Sequence, residues 1–226
     1  MKKSLLLAVL LAGSFARADE PLKTHPDSSA WTPLIAADFS NALNPSGVWS
    51  WKDGILTPNE KDEVIWTKSD YENFTLDLEF KLERGGNGGV IIHGTDIQNW
   101  PPNSLEIQLL DDGDPKWAKI PPNWKCGGIF GHSVPMKSAV KKPGEWNRMT
   151  IRCHGPRVSV LLNGALVTDV NMKDWKSGKT APDGSAIVDF EPRPLAEMAA
   201  KGRIGTQGTH GGVPTYFRNI RIKPIE

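Results

Sequence analysis

The segment Leu105-Glu106-Ile107-Gln108-Leu109-Leu110-Asp111 carries the strongest chemical signal in the sequence. If Leu105, Ile107 and Leu109 point into a core, the period of two in a strand puts Glu106 and Gln108 side by side on the opposite face. A carboxylate and an amide placed so can grip hydroxyl groups or move a proton, although a merely solvated strand face has the same pattern. In the preceding strand, Val90-Ile91-Ile92-His93, the same parity separates Val90 and Ile92 from Ile91 and His93. His93 is therefore expected on the face of Glu106 if the two strands are neighbours, and imidazole beside carboxylate is a proton-transfer pair near neutral pH. Glu106 and His93 are the candidate catalytic groups.

Aromatic and polar residues extend this set. The sequence has nine tryptophans, and two of them, Trp100 and Trp124, lie in proline- and asparagine-containing loops where an indole could stack on a sugar ring. Trp49, Trp51, Trp66 and Trp146 lie in strand-like segments and are read as core. Gln108, Asp111, Trp100, Trp124, His132, Gln207 and Arg218 are the candidate substrate-binding residues. Asp111-Asp112-Gly113-Asp114 could present oxygens to a divalent cation such as calcium, though Asp-Gly is also ordinary turn chemistry. The five histidines have no HxH or HxxxH spacing, so nothing points to zinc. No phosphate-loop, dinucleotide or serine-hydrolase motif occurs.

These residues must be held by strands. Phe74, Leu76, Leu78, Phe80 and Leu82 alternate with Thr75, Asp77, Glu79 and Lys81, the pattern of a half-buried strand. Further strands are expected at 90–93, 105–110, 146–153, 158–162, 165–170 and 216–222. Asn163-Gly164 should close a two-residue hairpin, since a type I′ turn needs positive φ at both central positions. Only Leu195 to Lys201, stopped by Gly202, reads as helix. Short strands at spacings of about ten residues, punctuated by 22 glycines and 18 prolines, predict an all-β fold of two antiparallel sheets packed face to face.

Residues 1–18 resemble an export signal: Lys2 and Lys3 precede the apolar run Leu5 to Leu11, and Ala16-Arg17-Ala18 fits a cleavage site. The run is too short to span a bilayer, so a soluble periplasmic or secreted bacterial protein without a membrane anchor is expected. Residues 19–30 would form an N-terminal extension and residues 31–226 a single domain. Losing Lys2, Lys3 and Arg17 from 27 basic residues leaves 24 against 26 acidic ones. That balance argues against nucleic acid as partner, because its binders concentrate positive charge. Cys126 and Cys153 could form a disulfide in an oxidising compartment or remain two buried thiols.

The ordered set Asn87-Gly88-Gly89-Val90-Ile91-Ile92, Leu105 through Asp111, Gly127-Gly128-Ile129-Phe130, Lys142 through Asn147, Asn163-Gly164, Gly202 through Gly205 and Phe217 through Ile222 resembles the 3-keto-disaccharide hydrolases. The similarity runs from about Trp31 to the C-terminus. It implies a concanavalin A-like jelly roll and an oligosaccharide or glycoside substrate oxidised to a ketone at carbon 3. The family pattern usually has arginine at the position of His93 and tyrosine at that of Leu105. An ordinary glycosidase needs two flanking carboxyls, whereas the position two residues after Glu106 is Gln108. A 3-ketone makes the carbon-2 hydrogen acidic, so one base, Glu106 or His93, suffices to start elimination, and water then adds back. Gln108, Arg218 or a cation would stabilise the enolate oxygen. A non-catalytic lectin-like module is the competing reading of the same residues.

Overall fold

In a computed structural model, residues 20–45, 47–187 and 193–225 are described. The export signal expected at 1–18 lies outside them. Among the described residues thirteen strands occur in chain order: β1 (Thr32–Pro33), β2 (Ala42–Leu43), β3 (Trp49–Lys52), β4 (Ile55–Pro58), β5 (Val64–Thr67), β6 (Phe74–Leu82) and β7 (Asn87–Gly94). They continue as β8 (Leu105–Leu110), β9 (Trp146–His154), β10 (Arg157–Leu162), β11 (Ala165–Asn171), β12 (Arg203–His210) and β13 (Thr215–Pro224). All pairings are antiparallel. The larger sheet runs β11-β10-β9-β6-β13-β4-β3 with β1 added on β13, and the smaller runs β2-β5-β12-β7-β8. The two form a sandwich, as the strand spacing predicts, and it is of the jelly-roll type that the family resemblance implies.

The alternation in β6 explains why the sheets stack. Phe74, Leu76, Leu78, Phe80 and Leu82 are all buried, and they pack with Val90 and Ile92 of β7 and with Leu105, Ile107 and Leu109 of β8. Each such side chain removed from water contributes roughly 1.5–3 kcal/mol. On the other face of β6, Thr75 and Asp77 are also buried, contrary to simple alternation. The N-terminal segment accounts for this. Ser28 donates to Asp77, His25 sits 2.7 Å from the Thr150 hydroxyl, and Arg148 donates to Asp77 and to the Pro26 carbonyl. Residues 25–28 thus form a strap over the outer face of the larger sheet.

Asn163 and Gly164, both at positive φ, make the β10–β11 hairpin as expected. The helix expected over Leu195–Lys201 is instead a single 3₁₀ turn, Leu195–Glu197, after which the backbone becomes extended at Met198. Leu195 alone is buried there, so no apolar stripe exists to hold a longer helix. Cys126 and Cys153 are buried free thiols, not a disulfide, and their burial pushes both thiol pKa values up. Trp49 lies in the core as expected, whereas Trp66 is buried in a separate small cluster with Val64 and Ile91 on the outer face of the smaller sheet. Trp146 does not lie in the core: it is half-buried under Arg218, whose guanidinium lies 4.1 Å from the ring centroid.

Candidate active site

Two irregularities in the pairing of β12 with β7 shape the outer face of the smaller sheet. Gly94 faces Arg203 and Ile91 faces Gly205, so Ile92 and His93 together oppose Ile204. This is a bulge, and His93 takes φ of 55° within it. The strand parity therefore fails at His93. Its ring turns into the interior, edge-on to Phe74 at 6.0 Å, with 1% exposure. Neither ring nitrogen has a hydrogen-bond partner among the described residues, and burial lowers the pKa to about 4, offset only in part by the Glu72 backbone. His93 is a neutral core residue and cannot pair with Glu106.

The second irregularity has the opposite result. Gln207 faces Gly89 and His210 faces Asn87, so Gly208 and Thr209 oppose Gly88. The extra residue brings His210 to the side of the sheet occupied by Gln207, where strict alternation would have placed Thr209. His210 Nδ1 lies 2.6 Å from a carboxylate oxygen of Asp62, in the loop before β5, and Gln207 Nε2 donates to the other oxygen at 3.3 Å. Asp62 and His210 form a dyad, and both are less than half exposed. The hydrogen bond to Asp62 raises the His210 pKa, and the Glu106 charge raises it further against the lowering effect of burial.

Glu106 occupies the parity position expected for it. It lies on β8 opposite Ile91, and its carboxyl leans over Gly89, where a methyl group would overlap Oε1. Only glycine leaves this space. Burial pushes the carboxyl up to about 7, while His210 pulls it down and Asp62 pushes it up. A carboxyl raised by burial at Glu106 and an imidazole raised by Asp62 at His210 thus face one cavity, the arrangement of a base opposite an acid.

The cavity has a volume of about 220 Å³, and Glu106, Gln108, Gln207, His210, His132 and Trp100 are among its walls. Of the expected residues, Glu106, Gln108, Gln207, His132 and Trp100 belong to this one site. Gln108 is 2% exposed, and its Oε1 accepts from Leu109 N–H, which leaves its amide donors toward the cavity side of the sheet. The His132 ring lies between two wall segments, with Nε2 2.8 Å from the Arg193 carbonyl and Nδ1 3.1 Å from the Phe130 carbonyl. Ser104, Phe130 and Arg193 also line the cavity. Asp62, His210 and Arg193 escaped the sequence reading. The glycine-rich stretch Gly202 to Gly212 was the available signal for His210, since it announces irregular pairing.

Besides His93, three expected residues lie elsewhere. Trp124 is not a wall residue: it stacks behind Phe130 at 5.1 Å and supports it. Asp111 caps the tight turn before β7, accepting from Gly85 N–H at 2.9 Å, because its strand ends there and turns away. Arg218 belongs to β13 in the other sheet, where it pairs with Glu79 at 2.9 Å. The oxygens proposed for a cation have other partners: Asp112 accepts from Cys126 N–H, and Asp114 from Lys116 N–H and Arg84. Among the described residues, no three His, Cys, Asp or Glu side chains converge to hold a metal. No described helix is long and apolar enough to cross a membrane.

Comparison with known proteins adds a second line of argument. Residues 25–223 match the model of the 3-keto-alpha-glucoside-1,2-lyase-like domain. The chain is similar to a 3-keto-disaccharide hydrolase of Bacteroides thetaiotaomicron, with 23% identity over 217 residues, covering 88% of this chain and 71% of that protein. A crystal structure from Parabacteroides distasonis, described as a candidate glycosyl hydrolase, is 48% identical and superposes with a TM-score of 0.83. It spans 86% of this chain and 99% of that one. A second candidate glycosyl hydrolase from the same organism, 24% identical, has a TM-score of 0.69 over 83% of this chain and 90% of its own, and shares the fold.

Proposed function

For a chain that belongs to the 3-keto-alpha-glucoside-1,2-lyase-like family, we propose cleavage of 3-keto-glycosides by elimination followed by hydration. The observation that carries this reading is the poise of Glu106. It is the only carboxylate among the described residues lining the inner cavity, it titrates near neutrality, and it faces an imidazole rather than a second acid. A direct displacement at carbon 1 calls for two carboxyls. Abstraction of the acidified hydrogen at carbon 2 calls for one base of pKa near the working pH.

The steps follow from the two protonation states. Glu106 carboxylate takes the carbon-2 proton, and the electron pair forms the enolate of the 3-ketone. Collapse of the enolate breaks the bond from carbon 1 to the leaving oxygen, which receives the proton of His210 Nε2. An unsaturated 3-keto sugar and a neutral His210 remain. His210 then accepts a proton from water as its oxygen bonds to carbon 1, and Glu106 returns its proton to carbon 2. Both groups end as they began, so the sum is hydrolysis. Asp62 holds the imidazole by Nδ1 and sustains its positive charge. Gln108 supplies amide donors for sugar and enolate oxygens, where preorganised dipoles lower the barrier most, while Gln207 holds Asp62 in place.

Export belongs to the same proposal. It rests on the pattern from Lys2 to Ala18, and N-terminal sequencing of native protein should begin at Asp19.

The decisive experiment is turnover of a 3-keto-glycoside in D₂O. The proposal expects aglycone release with deuterium at carbon 2 of the product above the non-enzymic exchange, and no release from the unoxidised glycoside. Release without carbon-2 deuterium would refute elimination. Retention of glycans on a column with no release from any 3-keto-glycoside would favour the lectin-like reading.

A further inference from the structure

A second, wider cavity of about 620 Å³ adjoins the first on the same sheet face, and Trp100, Gln207 and His210 form walls of both. The smaller cavity falls below the roughly 300–1,000 Å³ usual for larger ligands and suits one ring. The wider one reaches out from the Asp62–His210 dyad along β5. Leu43, Val64, Trp66 and Ile97 give it an apolar side, and Trp66 and Trp100 approach each other at 6.5 Å between ring centroids. Asp62 and Glu63 stand on its rim, and no lysine or arginine is among the described residues that line it. Asp62 is hydrogen-bonded to His210 and Gln207, whereas Glu63 is an exposed acid with its charge open to whatever fills the cavity.

We infer that the wider cavity is the leaving-group subsite, built for a ring without negative charge. This rests on the function proposed above. With the oxidised ring over Glu106, the bond to be broken passes the divide beside His210, and the departing group comes to lie on the apolar side near Trp66 and Trp100. A sugar or aromatic ring offers the flat apolar surface that indoles cover. A phosphate or carboxylate on that ring would meet Glu63 with no lysine or arginine in the lining to compensate it, since the one basic group there, His210, is already paired with Asp62. One like-charge contact at a solvent-exposed rim costs about tenfold in binding.

The test compares kcat/KM for 3-keto-glucosides that share the oxidised ring and differ in leaving group: methanol, glucose, glucosamine and glucose 6-phosphate. The subsite predicts glucose at least about tenfold better than methanol, glucosamine equal to or better than glucose, and glucose 6-phosphate about tenfold worse. In Glu63→Lys the ratio of phosphorylated to neutral substrate should rise about tenfold or more, with Glu63→Gln between it and the wild type. If wild type cleaves all four equally, or the ratio is unchanged in both variants, the subsite assignment is wrong and the elimination reading stands. If no 3-keto-glucoside is cleaved, the reading beneath it falls as well.

Discussion

Replacing Glu106 by glutamine should make the protein more stable at alkaline pH while abolishing turnover. The carboxyl has its pKa raised from an ordinary 4.5 to about 7, chiefly by burial, with the pull of His210 already included. A raised carboxyl holds its proton more tightly in the folded state than in the unfolded one. Wild-type stability therefore falls as pH rises from 4.5 to about 7, and the loss is complete above that. At about 1.4 kcal/mol per pH unit the ceiling is about 3 kcal/mol. Glu106 opens on a cavity that admits water, which reduces the expected effect to about 1–2 kcal/mol. Glutamine keeps the size and never ionises. The two proteins should have equal urea midpoints at pH 4, and the variant should gain about 1–2 kcal/mol at pH 8 with the same m-value. Activity on a 3-keto-glycoside should fall about 10²–10⁴-fold, the usual range for a lost general base. Parallel stability curves from pH 4 to 8, or a variant with full turnover, would falsify the assignment of Glu106 as a destabilised base.

Other outcomes follow from the same geometry. The wild-type kcat/KM should be bell-shaped in pH, with the acid limb near 7 set by Glu106 and the alkaline limb set by His210 above its ordinary 6.5. Asp62→Asn removes the main cause of the raised His210 pKa, so the alkaline limb should move to lower pH, and a limb that stays in place would exclude His210 as the acid. Gly89→Ala should displace the Glu106 carboxyl and cut kcat about 10²-fold, the cost of a misplacement of about 1 Å, with a near-native circular dichroism spectrum. His93→Asn, which tolerates positive φ, should leave the pH profile of activity in place while stability drops about 1–3 kcal/mol from lost packing. A lost acid limb in that variant would return His93 to the site. Arg218→Gln should cost about 0.5–1 kcal/mol through Glu79 and Trp146 and leave turnover within about twofold.

The strand with the cleanest alternation, Phe74 to Leu82, could be read directly, and so could the Asn163-Gly164 turn, because local chemistry alone decides both. Glu106 and Gln108 were legible for the same reason: β8 keeps its pleat from Leu105 to Leu110. The site's histidine was not. Parity counting assumes an unbroken ladder, and the β7–β12 pair breaks it twice, so His93 and His210 exchange the places that counting gives them. Asp62 was illegible because its role depends on β5 lying beside β12, a pairing of residues about 140 apart in the chain that no local pattern encodes. Arg218 and Asp111 were misplaced by a related gap, since sequence shows which residues are polar but not which sheet a strand joins. The expectation for Leu195 to Lys201 weighed helix propensity without a buried stripe to support it, and the chain settled for one turn.

The extra residue in β12 has a consequence for tracing this site through more distant relatives. Whichever of Gly208 or Thr209 is deleted, the ladder to β7 regains strict pairing, and the histidine, now two residues after Gln207, still stands on the same face opposite Asn87. A gap of one placed there by alignment is thus compatible with a retained imidazole, and a lineage that has abandoned it is one with no histidine either two or three residues after that glutamine.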